Sequence, residues 1–129
     1  MRWGATRSAG GAAYLLAVDR DNPRVAGMYD PYHPGVLRFL GACVASSRGA
    51  GKPCSLCGEI AGEPDLIPLL LGMGFRELSM APVFLPRVKL TVRSAHLGRC
   101  EELWQAVQEL ATAEEVREAV REAARKQAC

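Results

Sequence analysis

Two kinds of side chain in this sequence could do chemistry: thiols and one arginine set in a turn. Cys57 closes the short apolar run Pro53-Cys54-Ser55-Leu56-Cys57 and is followed by Gly58-Glu59. A thiol with a reference pKa near ~8.5 keeps its proton at neutral pH and can still give it up to a base. On the residues alone, a buried strand cysteine that only packs as a small apolar group is the stronger reading. Cys54 and Cys57 also have CxxC spacing. No second CxxC or histidine pair follows at zinc-finger spacing. Residues three apart on a strand point to opposite faces, so no shared metal is expected. Arg20 sits in Asp19-Arg20-Asp21-Asn22-Pro23. On the residues alone it is an ordinary turn arginine in a charged stretch. His33, before Pro34, and His96, between two helical stretches, lack metal-like neighbours and are expected to be solvated.

Those groups need a frame. The chain has 129 residues, suited to one modest domain or a piece of a larger one. Apolar residues make up 49%, enough for a packed core. Sixteen basic against 14 acidic residues leave a net charge of +2. No basic stripe is present, so nucleic acid is not an expected partner. Five cysteines at scattered positions argue against a disulfide framework. Met1-Arg2 leads into small and polar residues rather than a signal-peptide core. The apolar run from Leu66 to Phe75 is too short to span a bilayer. No membrane partner is expected, and the expected location is cytoplasmic.

The elements read in order as follows. Residues 1–13 are small, Gly/Ala-rich and basic, a poorly ordered lead-in. Tyr14 to Val18 is apolar and ends in turn chemistry. A helix is expected from Pro34 to just before Gly49. Residues 53–57 read as a buried strand. A helix follows from Gly62-Glu63-Pro64 to Met73, closed by Gly72 and Gly74. Glu77 to Met80 is a second strand, and Leu85 to Ser94 a helix. Two amphipathic helices finish the chain, near Arg99–Leu110 and from Thr112 to about Lys126. Thr112-Ala113-Glu114-Glu115 has capping-box spacing. Strands alternating with helices imply parallel pairing through crossovers. Two good strands do not make a covered sheet, so the sequence reads as part of a larger α/β unit.

Four blocks give that unit a family. They are Tyr14-Leu15-Leu16-Ala17-Val18-Asp19-Arg20-Asp21-Asn22 with Tyr29-Asp30-Pro31 and His33-Pro34; Gly51-Lys52-Pro53 leading to Cys57-Gly58-Glu59-Ile60-Ala61-Gly62; Leu69-Leu70-Leu71-Gly72-Met73-Gly74-Phe75 with Glu77-Leu78-Ser79-Met80; and Leu85-Pro86-Arg87-Val88-Lys89. In order and spacing they resemble the C-terminal part of the phosphoenolpyruvate-utilising enzymes, Enzyme I of the sugar or nitrogen-related phosphotransferase system above all. Pyruvate phosphate dikinase and phosphoenolpyruvate synthase are the sister alternatives.

The resemblance implies an α/β fold: the last part of a (β/α)8 TIM-type barrel followed by two amphipathic helices, with residues 14–129 as a partial phosphoenolpyruvate-binding domain. It implies that Cys57 is the catalytic proton donor at the C-terminal end of its strand, where such barrels do chemistry. Arg20 would bind the substrate phosphate. The implied partners are phosphoenolpyruvate, an HPr-type phosphocarrier and a second copy in a homodimer; the implied cofactor is Mg2+. The match also breaks. The family's Gly-Thr-Asn-Asp-Leu-Thr-Gln segment precedes the position of Tyr14, and its Asn and Asp fall on Ala9 and Gly10. Neither side chain can ligate a hard cation. The expectation is therefore a chain inactive by itself, with an association module or gene remnant as the alternative.

Overall fold

A computed structural model describes residues 5–6 and 30–128, with side chains from 30 to 126. The block around Arg20, the positions Ala9 and Gly10, and Cys129 lie outside the described residues. The element order is β1 (Ala5–Thr6), α1 (Pro34–Gly49), β2 (Ser55–Cys57), α2 (Glu59–Gly62), α3 (Ile67–Met73), β3 (Glu77–Ser79), α4 (Leu85–Ser94), α5 (Leu97–Gln108) and α6 (Ala113–Ala128). Single 3-10 turns at Pro64–Leu66 and Pro82–Phe84 lead into α3 and α4.

Local chemistry accounts for these boundaries. His33 caps α1: its Nδ1 accepts from Gly35 N–H at 3.1 Å, and Pro34 takes a first-turn position where no N–H is needed. The expected helix over 62–73 is divided in two. Pro64 opens a 3-10 turn and Pro68 falls in the first turn of α3, so both missing N–H groups sit where a helix has no partner for them. Gly74 ends α3 at φ 109°, a left-handed conformation that favours glycine. The capping box at α6 forms as its spacing predicts. Glu115 Oε2 accepts from Thr112 N–H at 2.9 Å, and Thr112 Oγ1 accepts from Glu115 N–H at 3.3 Å.

The sheet is parallel, in the order β1-β2-β3. Ser55, Leu56 and Cys57 register with Glu77, Leu78 and Ser79; Ala5 and Thr6 register with Ser55 and Leu56. The two expected strands pair with each other as β2 and β3, and Ala5–Thr6 adds two residues of pairing to β2. Backbone hydrogen bonding to β2 orders these residues, and their small side chains gave no apolar signal. Helices predominate, and three described strands do not close a barrel.

The core lies on one side of the sheet. Leu56 is buried there with Val36, Leu37 and Leu40 of α1, Leu69 and Leu70 of α3, and Phe75. Helix α6 adds Val116 and Val120. Helices α3 and α5 pack backbone to backbone at Gly72, where a Cβ would collide with the Cys100 carbonyl. Across the molecule, Arg38 of α1 donates to the Gln108 carbonyl at 3.0 Å and the Leu110 carbonyl at 2.9 Å. A cation thus meets the unpaired carbonyls that end α5. At the other end, Arg117 of α6 pairs with Asp30 at 2.8 Å and stacks over the Tyr32 ring.

Candidate active site

Cys57 is the last residue of the central strand, so it stands at the C-terminal edge of the parallel sheet. Side chains alternate along a strand. Leu56 is buried toward the helices, which directs Ser55 and Cys57 to the opposite face. There Cys57 is half-buried beside Ser79, its registered neighbour on β3. That face is the more open one: Glu77 and Ser79 are exposed on it.

Directly after Cys57 the backbone turns through Gly58, at φ 111°. A side chain there would be strained. Gly58 N–H donates to the Ser79 carbonyl at 3.3 Å, which ties the end of β2 to the end of β3 before α2 begins. The Cys-Gly pair therefore leaves a thiol at the rim of the sheet with the chain bending away beneath it. Among the described residues, Cys43, Cys54, Cys57 and Cys100 form no disulfide.

The other cysteines occupy different surroundings. Cys54 precedes β2, at the N-terminal end of the strands. It lines a cavity of about 210 Å3 with Arg48, Lys52, Arg76 and Glu77. Ligands of open parallel sheets gather at the opposite end, so this cavity is not the candidate site. Cys100 is fully buried under α3, and burial pushes its thiol pKa up, with the charge of Glu101 adding to the effect. Burial also raises Cys43, with Cys54 contributing. The largest cavity described, about 530 Å3, is a groove between α5 and α6 with Arg99, Glu102, Glu122 and Lys126 on its walls. Lys126 and Glu122 pair with each other there at 2.7 Å. His33 and His96 are both exposed, as expected, and His33 serves as a helix cap.

Some site features escaped the sequence. Ser79 comes beside Cys57 only through strand register, for which the sequence of either strand carries no local signal. Strand β1 ends at Thr6, in register with Leu56, at the same edge of the sheet as Cys57. No group of three His, Cys, Asp or Glu side chains among the described residues could hold a metal ion. Alanine and glycine at positions 9 and 10 offer no side-chain oxygen to Mg2+.

A parallel sheet carried by crossover helices puts the described residues in the α/β class rather than among helical bundles. The chain belongs to the PEP-utilising enzymes: the profile described as "PEP-utilising enzyme, PEP-binding domain" matches residues 12–97. It is 44% identical over 112 residues to a phosphoenolpyruvate-protein phosphotransferase of Cupriavidus necator, covering 87% of this chain and 19% of that protein. It is 43% identical over 103 residues to multiphosphoryl transfer protein 1 of Escherichia coli, covering 80% of this chain and 12% of that one. A phosphoenolpyruvate-dependent phosphotransferase system protein of E. coli is 41% identical over 107 residues, covering 83% and 14%. The chain thus spans less than a fifth of the length of these relatives.

Proposed function

We propose that this chain is the closing segment of a phosphoenolpyruvate-binding (β/α)8 barrel, from a protein that moves the phosphoryl group of phosphoenolpyruvate to a histidine. The observation that carries the proposal is the place of Cys57: C-terminal end of the central parallel strand, on the open face. Parallel sheets are stable when both faces are covered or the sheet closes on itself. Here one face is covered and the other bears the thiol, as the wall of a barrel would.

The chemistry asked of Cys57 is one proton. When the phosphoryl group leaves phosphoenolpyruvate for a histidine nitrogen, the P–O bond breaks and the enolate of pyruvate remains. Its methylene carbon takes the proton from the Cys57 Sγ, forming a C–H bond and leaving a thiolate that solvent reprotonates. A positioned acid of this kind contributes about 10²–10⁴-fold. Arg20 would hold the phosphate through its guanidinium. The acceptor histidine lies on chain not present here, and an HPr-type phosphocarrier, a second copy in a dimer and a cytoplasmic location belong to the same reading. Phosphoryl transfer needs cations around the moving group. One thiol and one arginine do not supply them, so the chain alone is inactive on this proposal.

The test joins residues 14–129 to the preceding part of the Cupriavidus necator phosphotransferase, which restores the missing segment ahead of Tyr14. The joined protein is expected to release pyruvate from phosphoenolpyruvate, and Cys57→Ala to slow release about 10²–10⁴-fold. Arg20→Gln is expected to raise KM. A Cys57→Ala protein that works at the parent rate overturns the assignment.

A further inference from the structure

Ser79 is a side chain that the sheet brings to Cys57 and that no step of the proposed reaction uses. The two residues are register partners on adjacent parallel strands, and neighbouring strands lie about 4.8 Å apart. Leu56 is buried and Leu78 packs against the same core. Alternation therefore sends Cys57 and Ser79 out together on the opposite face. At that spacing a serine hydroxyl, which donates one hydrogen bond, comes within reach of a sulfur that accepts one.

The backbone holds the pair in place. Gly58 N–H donates to the Ser79 carbonyl at 3.3 Å, so the residue after the thiol is tied to the residue that carries the hydroxyl. Strand stability does not explain the choice of side chain, because serine is not among the β-branched and aromatic residues that strengthen strands. Nor does a nearby cation make the hydroxyl redundant. Within two residues of the pair along the chain, the charged side chains are Glu59 and Glu77, both carboxylates. Lys52 and Arg76 stand at the other end of the strands, around Cys54. A neutral donor is the group this rim offers to a sulfur anion.

We propose that Ser79 is a positioning residue for Cys57. Its Oγ–H donates to the Cys57 sulfur, aims the thiol proton at the open face, and steadies the thiolate once that proton has gone to carbon. No bond to Ser79 forms or breaks; it lends one hydrogen bond. Its part in turnover rests on the proton-donor reading of Cys57 above, whereas the contact itself can be read in this chain alone.

Alkylation of Cys57 by iodoacetamide at neutral pH, followed by peptide mass spectrometry, reads the contact in the isolated chain. Ser79→Ala is expected to slow it about fivefold, the effect of one hydrogen bond. Ser79→Thr keeps the hydroxyl and is expected to restore the rate, and Cys54 is expected to react alike in all three chains. In the joined protein, Ser79→Ala is expected to lower kcat about fivefold at unchanged KM, because the hydroxyl acts on the transition state. Equal alkylation of Cys57 with serine and alanine at position 79, or a loss that threonine does not recover, overturns the proposal. Slower alkylation of Cys57 and Cys54 together reports a general change in the fold and overturns it too. Pyruvate release that slows in Cys57→Ala but not in Ser79→Ala leaves the proton donor standing and removes Ser79. Release that survives Cys57→Ala removes the proton donor, while the alkylation result still decides the contact.

Discussion

The two sides of the sheet's helical layer differ in how much they have to lose. Phe75 and Leu56 are fully buried in one cluster with side chains of α1, α3 and α5. Around Leu90, the same kind of residue faces outward on a helix held by Val88. The contrast teaches that the fragment carries a finished core and one unfinished corner. A buried and an exposed apolar side chain, Phe75 and Leu90, thus stand fifteen positions apart in sequence.

The largest effect that can break this contrast is a paired truncation. Phe75→Ala is expected to cost about 3–5 kcal/mol, while Leu90→Ala stays within about 0.5 kcal/mol in the isolated chain. Urea unfolding of both variants checks it, and similar losses would show that α4 is as well packed as the core. Next comes Gly72→Ala. Its new methyl group meets the backbone of α5 at Cys100 rather than a movable side chain, so the helices must separate, at about 1–3 kcal/mol. The same variant should make the buried Cys100 thiol react sooner with an alkylating reagent.

The smallest effect lies at the N-terminus of α6. Hydrogen bonds from Thr112, backbone N–H first and then the side chain, and from Ala111 N–H hold the Glu115 carboxyl below its ordinary value of 4.5. A depressed folded pKa contributes stability that is present above the unfolded value and fades as pH falls through the folded one. An NMR titration of Glu115 should therefore show a midpoint below 4.5, and a midpoint at or above it would mean that the cap is open in solution.

Much of this was legible in the sequence. Pro34, Gly74 and the Thr112–Glu115 pair marked helix ends through local rules, and those ends lie within a residue or two of their expected places. The rim position of Cys57 followed from a strand stop at Gly58. What was not legible is what depends on pairing across distance. Ala5–Thr6 gains its strand character from β2, and small side chains do not announce it. Arg38 ends α5 from seventy residues away. The exposed apolar residues of α4 carry no mark in the sequence, because periodicity says which side chains share a face but not whether that face is covered.

The clasp between Asp30 and Arg117 joins residues 87 positions apart. Closing so long a loop costs chain entropy before any contact can repay it. During synthesis, the turn that starts α1 must then wait, unlatched, until the final helix has left the ribosome. A stop codon shortly before Arg117 would accordingly unfasten the turn ahead of α1 as well as α6.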